Sequence, residues 1–184
     1  SNINLKCKRW SPHLYSKLIN KIIDDDPNCA FIILGGKSEL DESKIVCDNV
    51  DNNYIIDLTG KINYRQSCAI LSYCDRYIGN DTGLMHSAAA LKIPVLTPNC
   101  FPADIPMSIS SFPQKYYPYG VPSVIVQPQQ ALEQCKIEKF QFNVGCQAAH
   151  PHCINQITPE IMFEGLRILN DQIKKNFKEP IFIN

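Results

Sequence analysis

Gly79-Asn80-Asp81-Thr82-Gly83-Leu84-Met85-His86-Ser87-Ala88-Ala89-Ala90-Leu91 is the stretch that decides the reading of this chain. It follows the short run Arg76-Tyr77-Ile78, turns at glycines and enters an alanine-rich helix. A strand that passes into a helix through small and polar residues is the building unit of an α/β domain. In open parallel sheets ligands bind beyond the carboxyl ends of the strands, which is where this turn falls. Amides at a helix start, the Thr82 hydroxyl and a glycine that permits close approach suit a phosphate or diphosphate. The helix dipole contributes only ~0.3–1 kcal/mol per charge at an exposed site, so several donors must act together. The same spacing also suits a local role, with Asp81 or Thr82 capping the helix and Gly83 easing the turn. His86, one helical turn further on, is placed either to face a ligand or to pack.

The alternation extends in both directions. Ser11 and Pro12 open a helix carrying Leu14, Leu18, Ile19, Ile22 and Ile23, which ends at Asp24-Asp25-Asp26-Pro27. The unbroken apolar run Cys29-Ala30-Phe31-Ile32-Ile33-Leu34 predicts a strand buried on both faces, stopped by Gly35-Gly36. A helix is expected from Ser38 to about Asn49, a strand over Asn53–Leu58 and a helix from about Tyr64 to Tyr73. After the central stretch come a strand at Pro94-Val95-Leu96-Thr97, a long loop from Pro98 to Ser123 and a strand at Val124-Ile125-Val126. Thr158-Pro159-Glu160 starts a last helix bearing Ile161, Leu166, Leu169, Ile173 and Phe177. Four or five strands with helices between them define an α/β class, a parallel sheet with helices on both faces. The chain opens on a loop and a helix, so a domain cut from a longer protein is expected.

Composition narrows the function. The 184 residues are 45% hydrophobic, enough for a core without disulfide staples. Eighteen Lys+Arg balance eighteen Asp+Glu, so no general basic field exists to hold nucleic acid. No apolar run nears the roughly 20 residues that span a bilayer, and no signal-peptide core is seen, which predicts a cytoplasmic protein. Of nine cysteines, Cys29, Cys47, Cys68 and Cys74 lie in apolar or helix-like segments, as reduced core thiols do.

Two further strand-end turns, Leu34-Gly35-Gly36-Lys37-Ser38-Glu39 and Leu58-Thr59-Gly60-Lys61, share the expected crevice edge. Neither is a GxGxxG, so no nicotinamide cofactor is inferred. Tyr116-Tyr117-Pro118-Tyr119-Gly120 offers aromatic faces that suit a base, and equally suits a packed surface loop. Cys146, His150, His152 and Cys153 put two thiols and two imidazoles within eight residues, yet the spacing is not that of a common closed zinc site. No metal is assigned to them.

Lys8-Arg9-Trp10, Gly35-Gly36 with Glu39, Asp57-Leu58-Thr59-Gly60 and above all the Gly79–Leu91 stretch with Pro94 resemble the carboxyl-terminal half of the glycosyltransferase family 9 heptosyltransferases. The close, from Cys146 to Cys153-Ile154 with Ile157-Thr158-Pro159-Glu160, is similar as well. One departure is Ser11, which separates Trp10 from Pro12 where the family usually places Pro directly after Trp. The resemblance implies a Rossmann-like donor domain, residues 1–184, of a two-domain GT-B enzyme whose amino-terminal acceptor domain lies outside this chain. The implied donor is a nucleotide sugar, usually ADP-heptose, and the acceptor a lipid-linked saccharide of the lipopolysaccharide core. By the same analogy Asp81 accepts hydrogen bonds from sugar hydroxyls, and Thr82 and Gly83 hold the diphosphate with His86 beside it. Lys8 neutralises its charge and Glu39 contacts the sugar or nucleoside side. No cofactor is implied, and the catalytic base belongs to the other domain.

Three other readings remain open on sequence. One is a related GT-B transferase with another nucleotide sugar or a protein acceptor. Another is a nucleotide-binding module that transfers nothing, and the third is a metal-organised assembly module that rests on the Cys146 to Cys153 group alone. Fold alone does not separate them.

Overall fold

The computed structural model describes residues 8–104, 116–132, 140–141, 145–146 and 153–184. The chain divides into two compact units, one of residues 11–73 and one joining residues 1–10 to 74–184.

In the unit of residues 11–73, helix α1 is Pro12–Asp25 and α2 is Leu40–Asp48. Strands β1, Phe31–Ile33, and β2, Ile55–Asp57, pair in parallel with Phe31 opposite Ile55 and Ile33 opposite Asp57. Helix α3, Tyr64–Leu71, closes the unit. Pro12 sets the first turn of α1, and the Ser11 carbonyl accepts the Leu14 and Tyr15 amides at 3.0 and 3.1 Å. The start of α3 is a reciprocal cap. Asn63 Oδ1 accepts from the Gln66 amide at 3.0 Å, and Gln66 Oε1 accepts from the Asn63 amide at 2.9 Å.

The core of this unit gathers Ile19, Val46 and Val50, with Tyr15, Ile23, Phe31, Ile33 and Ile55 packed on it. Tyr15, Ile19 and Ile23 recur every four residues and so share one stripe of α1. Burial of β1 on both faces is not found, since all three of its residues are half-buried. Ile32 is paired with Ile56, which is 55% exposed, so this face of the two-stranded sheet is incompletely covered. The turn after β2 depends on Gly60, whose φ of +68° is open to glycine and strained for other residues. Its amide donates to the Gly35 carbonyl at 2.9 Å, tying the two strand-end turns together.

The other unit holds β3 (Tyr77–Ile78), α4 (Gly83–Ala90), β4 (Val95–Pro98) and β5 (Ser123–Val126). A short antiparallel pair, β6 (Phe140–Gln141) and β7 (Gly145–Cys146), follows. Helix α5 (Pro159–Lys174) and strand β8 (Pro180–Ile183) end the chain. β3, β4, β5 and β8 form one parallel sheet in that order, with Leu96 between Ile78 and Val124 and Val124 beside Ile181.

Every residue of β4 and β5 is buried, as their continuous apolar sequence requires of central strands. Strand parity assigns the two faces. Leu96, Val126 and Ile183 face α5, where a Cβ on Gly165 would meet Leu96 Cδ1 at 2.9 Å and the other two at 3.3 Å. Thr97 and its neighbour Ile125 face the opposite way and share a cleft with Met85 of α4. Helices therefore cover both faces of this sheet.

The last helix begins where the sequence places it, with the Thr158 hydroxyl accepting from the Ile161 amide at 3.3 Å. Its buried stripe is Met162, Phe163, Leu166, Leu169 and Gln172, which overlaps the expected stripe only at Leu166 and Leu169. Ile161 lies at the edge of that stripe and is half-buried. Phe177 is 45% exposed because the chain leaves the helix at Asn176, φ +50°, before Phe177 is reached. Strand β8 and the β6–β7 pair add to the expected four or five strands.

Gly165→Val forces two methyl groups into the contact between α5 and β4. The expected loss is about 1–3 kcal/mol, read as a lower denaturant midpoint at unchanged slope. An unchanged midpoint would mean that α5 is not seated on Leu96.

Candidate functional site

The turn after β3 is shaped by one aromatic ring. Tyr77 folds back beneath it, and a Cβ on Gly79 would lie 2.6 Å from the tyrosine hydroxyl and 2.8 Å from Cζ. Only glycine leaves room for the ring there. The Tyr77 hydroxyl donates to the Asn80 carbonyl at 3.0 Å and lies 3.4 Å from Thr82 Oγ1. Its one proton is used at Asn80, so Thr82 is the donor of that long contact. Burial pushes the Tyr77 pKa up to about 12, against the hydrogen bond from Thr82 and with the repulsion of Asp81.

Asn80 joins this turn to the segment at the amino-terminal end. Its side-chain oxygen accepts the Trp10 backbone N–H at 3.0 Å. The Trp10 indole, 2% exposed, donates to the Ile157 carbonyl at 2.8 Å. With Trp10 held at both ends, Lys8 comes to Asp81, its Nζ 3.0 Å from Oδ2. The other Asp81 oxygen lies 3.7 Å from His86 Nε2, a distance that allows an ion pair when His86 is protonated and is too long for a hydrogen bond. The Asp81 side chain is 16% exposed and that of His86 50%. The carboxylate therefore sits further inward than Lys8 and His86, whose side chains are 34% and 50% exposed.

Neither polar side chain of this turn is spent on capping α4. Thr82 is the N-cap residue by its backbone, its carbonyl accepting the Met85 and His86 amides at 3.1 and 3.4 Å. Its side chain makes no bond to the helix. Asp81 pairs with Lys8 and His86 instead. Thr82 and Gly83 are exposed at the helix start.

Lys8, Asp81 and His86 thus form one cluster, with Thr82 and Gly83 beside it in sequence. Glu39 belongs to the unit of residues 11–73, where it organises its own turn. Its Oε2 accepts the Gly36 amide and its Oε1 the Ser38 hydroxyl, both at 2.7 Å. Sequence reasoning did not single out Tyr77 or the Asn80 side chain. An aromatic two residues before a glycine at a strand end was the available signal for the first.

A shallow open depression lies against Asp81, with space inside it for little more than one water molecule. Met85, Thr97, Asn99 and Ile125 line its floor, and Tyr116, Tyr117 and Pro118 its wall. It opens at the carboxyl ends of β3, β4 and β5, the expected place for a ligand in such a sheet.

Cys29, Cys47, Cys68 and Cys74 are half-buried and not in the core, where Cys100 and Cys153 are buried. Burial raises the thiol pKa of Cys29, Cys47 and Cys74, and the neighbouring Asp26, Asp57 and Asp75 carboxylates add to it, which makes these thiols poor nucleophiles. Of the Cys146 to Cys153 group, His150 and His152 lie outside the described residues. Cys146 is described in backbone only, as part of β7. No helix among the described residues is long and apolar enough to cross a membrane.

The family model for glycosyltransferase family 9 (heptosyltransferase) matches residues 3–98, slightly more than half of the chain. All six candidate residues fall within it. A lipooligosaccharide heptosyltransferase 2 from Haemophilus ducreyi is 30% identical over 90 residues, covering 47% of this chain and 25% of that protein. The lipopolysaccharide heptosyltransferase 2 of Escherichia coli is 27% identical over 90 residues, 48% of this chain and 26% of that protein. The matches thus span about a quarter of the length of these curated relatives. Among solved structures, the E. coli ADP-heptose LPS heptosyltransferase II superposes with a TM-score of 0.65 at 19% identity, over 92% of this chain and 44% of that one. A glycosyl transferase family 9 structure from Veillonella parvula gives 0.66 at 18% identity, over 89% and 42%. At these identities the likeness shows the fold, an α/β Rossmann-like arrangement of parallel strands and helices.

The buried Tyr77 hydroxyl makes stability fall with alkali. Below pH 10 folded and unfolded chains hold the proton alike. Between about pH 10 and 12 the unfolded chain, with tyrosine at its ordinary value, has lost a proton that the folded chain keeps, so stability declines. Tyr77→Phe is expected to flatten that decline in denaturation midpoints measured across this range. Equal slopes in the two proteins would place the hydroxyl in water.

Proposed function

The chain belongs to glycosyltransferase family 9, and from that membership we propose that it holds the nucleotide-sugar donor in a two-domain GT-B heptosyltransferase of lipopolysaccharide core assembly. The observation that carries this reading is the cluster at the start of α4, where Lys8 and His86 flank Asp81 and neither Asp81 nor Thr82 is used as a cap.

The chemistry follows from charge. In glycosyl transfer the bond from the anomeric carbon to the diphosphate oxygen breaks, and negative charge grows on the leaving nucleoside diphosphate. Lys8 and the exposed start of α4 place positive potential where that charge would gather, with His86 beside them. An ammonium carries three protons, so Lys8 is able to hold Asp81 and a phosphate oxygen together. Asp81, an acceptor only, serves sugar hydroxyls and repels phosphate, which orders the donor along the site. These protein donors fit a diphosphate, and the described residues supply no acidic cluster for a divalent cation. Glu39 is assigned to the sugar or nucleoside side by analogy with the family.

The acceptor hydroxyl needs a general base. We place that base in a partner domain outside this chain, so the chain by itself is expected to bind donor and transfer nothing. A lipid-linked saccharide acceptor would bring the assembled enzyme to the cytoplasmic face of the inner membrane. A related transferase with another nucleotide sugar keeps the same cluster and differs in base preference.

Titration calorimetry with ADP, UDP, GDP and ADP-heptose tests the reading. Adenine ligands are expected to bind best. Lys8→Ala should weaken ADP about tenfold, the scale of one charge-assisted hydrogen bond, and reduce the salt dependence. Asp81→Ala and Thr82→Ala should weaken ADP-heptose. Preference for UDP or GDP would change the donor, and binding insensitive to all three substitutions would remove the site.

A further inference from the structure

Asn80 lies next to Asp81 in the turn after β3, yet its side-chain oxygen is given to a backbone amide 70 residues away in sequence, that of Trp10. We propose that Asn80 is a positioning residue for the diphosphate, holding the segment of residues 8–10 so that Lys8 stays at the donor turn, an inference that rests on the donor-binding reading above.

Lys8 is poorly equipped to keep this place by itself. Its ammonium ends a flexible stem of four rotatable bonds, and its side chain is partly exposed. At that exposure the contact with Asp81 at 3.0 Å is worth little against the freedom it takes away. An anchor on the backbone supplies what the ion pair lacks. The two residues from Lys8 to Trp10 span at most about 7 Å, so whatever fixes the Trp10 amide also limits where Lys8 begins. The indole bond to the Ile157 carbonyl, at 2.8 Å, seats the ring and leaves the backbone of residues 8–10 able to turn about the Trp10 side-chain torsions. The second bond, from the Trp10 backbone N–H to Asn80 Oδ1 at 3.0 Å, removes that freedom and brings the segment to the residue beside Asp81.

The turn itself is held by other bonds. The Asn80 carbonyl, not its side chain, accepts the Tyr77 hydroxyl at 3.0 Å, and α4 starts on the Thr82 carbonyl. Removing the side-chain amide therefore leaves these bonds in place and cuts the link to Trp10. Asn80 differs in this from Asp81 and Thr82, which are placed to meet the ligand. It acts on the diphosphate through Lys8, and its effect is bounded by what Lys8 contributes.

A double-variant cycle tests this, with ADP titrated into the full chain as wild type, Lys8→Ala, Asn80→Ala and the two together. Asn80→Ala is expected to weaken ADP by most of the roughly tenfold that Lys8→Ala costs, and the pair by no more than Lys8→Ala alone. The salt dependence of binding should fall to a similar slope in all three variants. Losses that multiply would show Asn80 acting on the ligand or the turn without Lys8. An Asn80→Ala protein that binds ADP as wild type does would show that Lys8 is placed without Asn80. Either result overturns the proposal. Asn80→Asp covers the case in which the alanine variant does not fold, because a carboxylate still accepts the Trp10 N–H. In that background Lys8→Ala should again cost about tenfold, and a much smaller cost would likewise overturn the proposal. A cycle that fails in a chain that binds ADP leaves the donor-binding reading standing, whereas wild type that binds no ADP overturns both.

Discussion

The site depends on the two hydrogen bonds of Trp10. Its backbone N–H reaches the Asn80 side chain and its indole N–H reaches the Ile157 carbonyl, at 3.0 and 2.8 Å. These bonds connect segments 70 and 147 residues apart in sequence. A buried donor left without a partner costs about 1–3 kcal/mol, whereas a made bond contributes nearer 1. The indole is almost fully buried, so the geometry in which both bonds form is strongly preferred over any that breaks one. Lys8 follows two residues earlier and inherits that placement. The position of a flexible ammonium is thus set by a rigid neighbour and not by its own ion pair, which at partial exposure is worth little by itself.

The turn that receives Lys8 is built with the same economy of parts. Gly79 leaves the volume that the Tyr77 ring fills, and the Tyr77 hydroxyl secures the Asn80 carbonyl while the Asn80 side chain secures Trp10. Asp81 and Thr82 are left with their side chains uncommitted to the helix they precede. A helix can be started by backbone bonds alone when its following turns are packed, and Met85, Ala88 and Ala89 of α4 are buried. Packing supplies the stability that a side-chain cap would otherwise give.

Much of this fold is visible in the chain's periodicity, and the reasons for the gaps are specific. Pro12, Asn63 and Thr158 mark helix starts by local chemistry, which sequence carries directly. The alternation of apolar runs and helices shows the α/β class, because parallel strands buried on both faces cannot alternate. The sequence pattern does not show strand β8, since Pro180-Ile181-Phe182-Ile183 is too short to distinguish from a helix tail without its partner β5. Helical spacing includes Phe177 for the converse reason: the exit at Asn176, φ +50°, is a tertiary event. The site divides similarly. Lys8, Asp81 and His86 were legible from motif and resemblance. The Tyr77 and Asn80 supports were not, because each acts through a partner that spacing alone does not reveal.

The inward carboxylate of Asp81 explains why the site needs so many supports. A half-buried negative charge is costly unless it is paired. Lys8 stands 3.0 Å from one Asp81 oxygen and His86 3.7 Å from the other, so each oxygen of the carboxylate has a neighbour. Since Trp10 holds Lys8 in place, the pairing of this carboxylate traces back to an indole bonded to the Ile157 carbonyl.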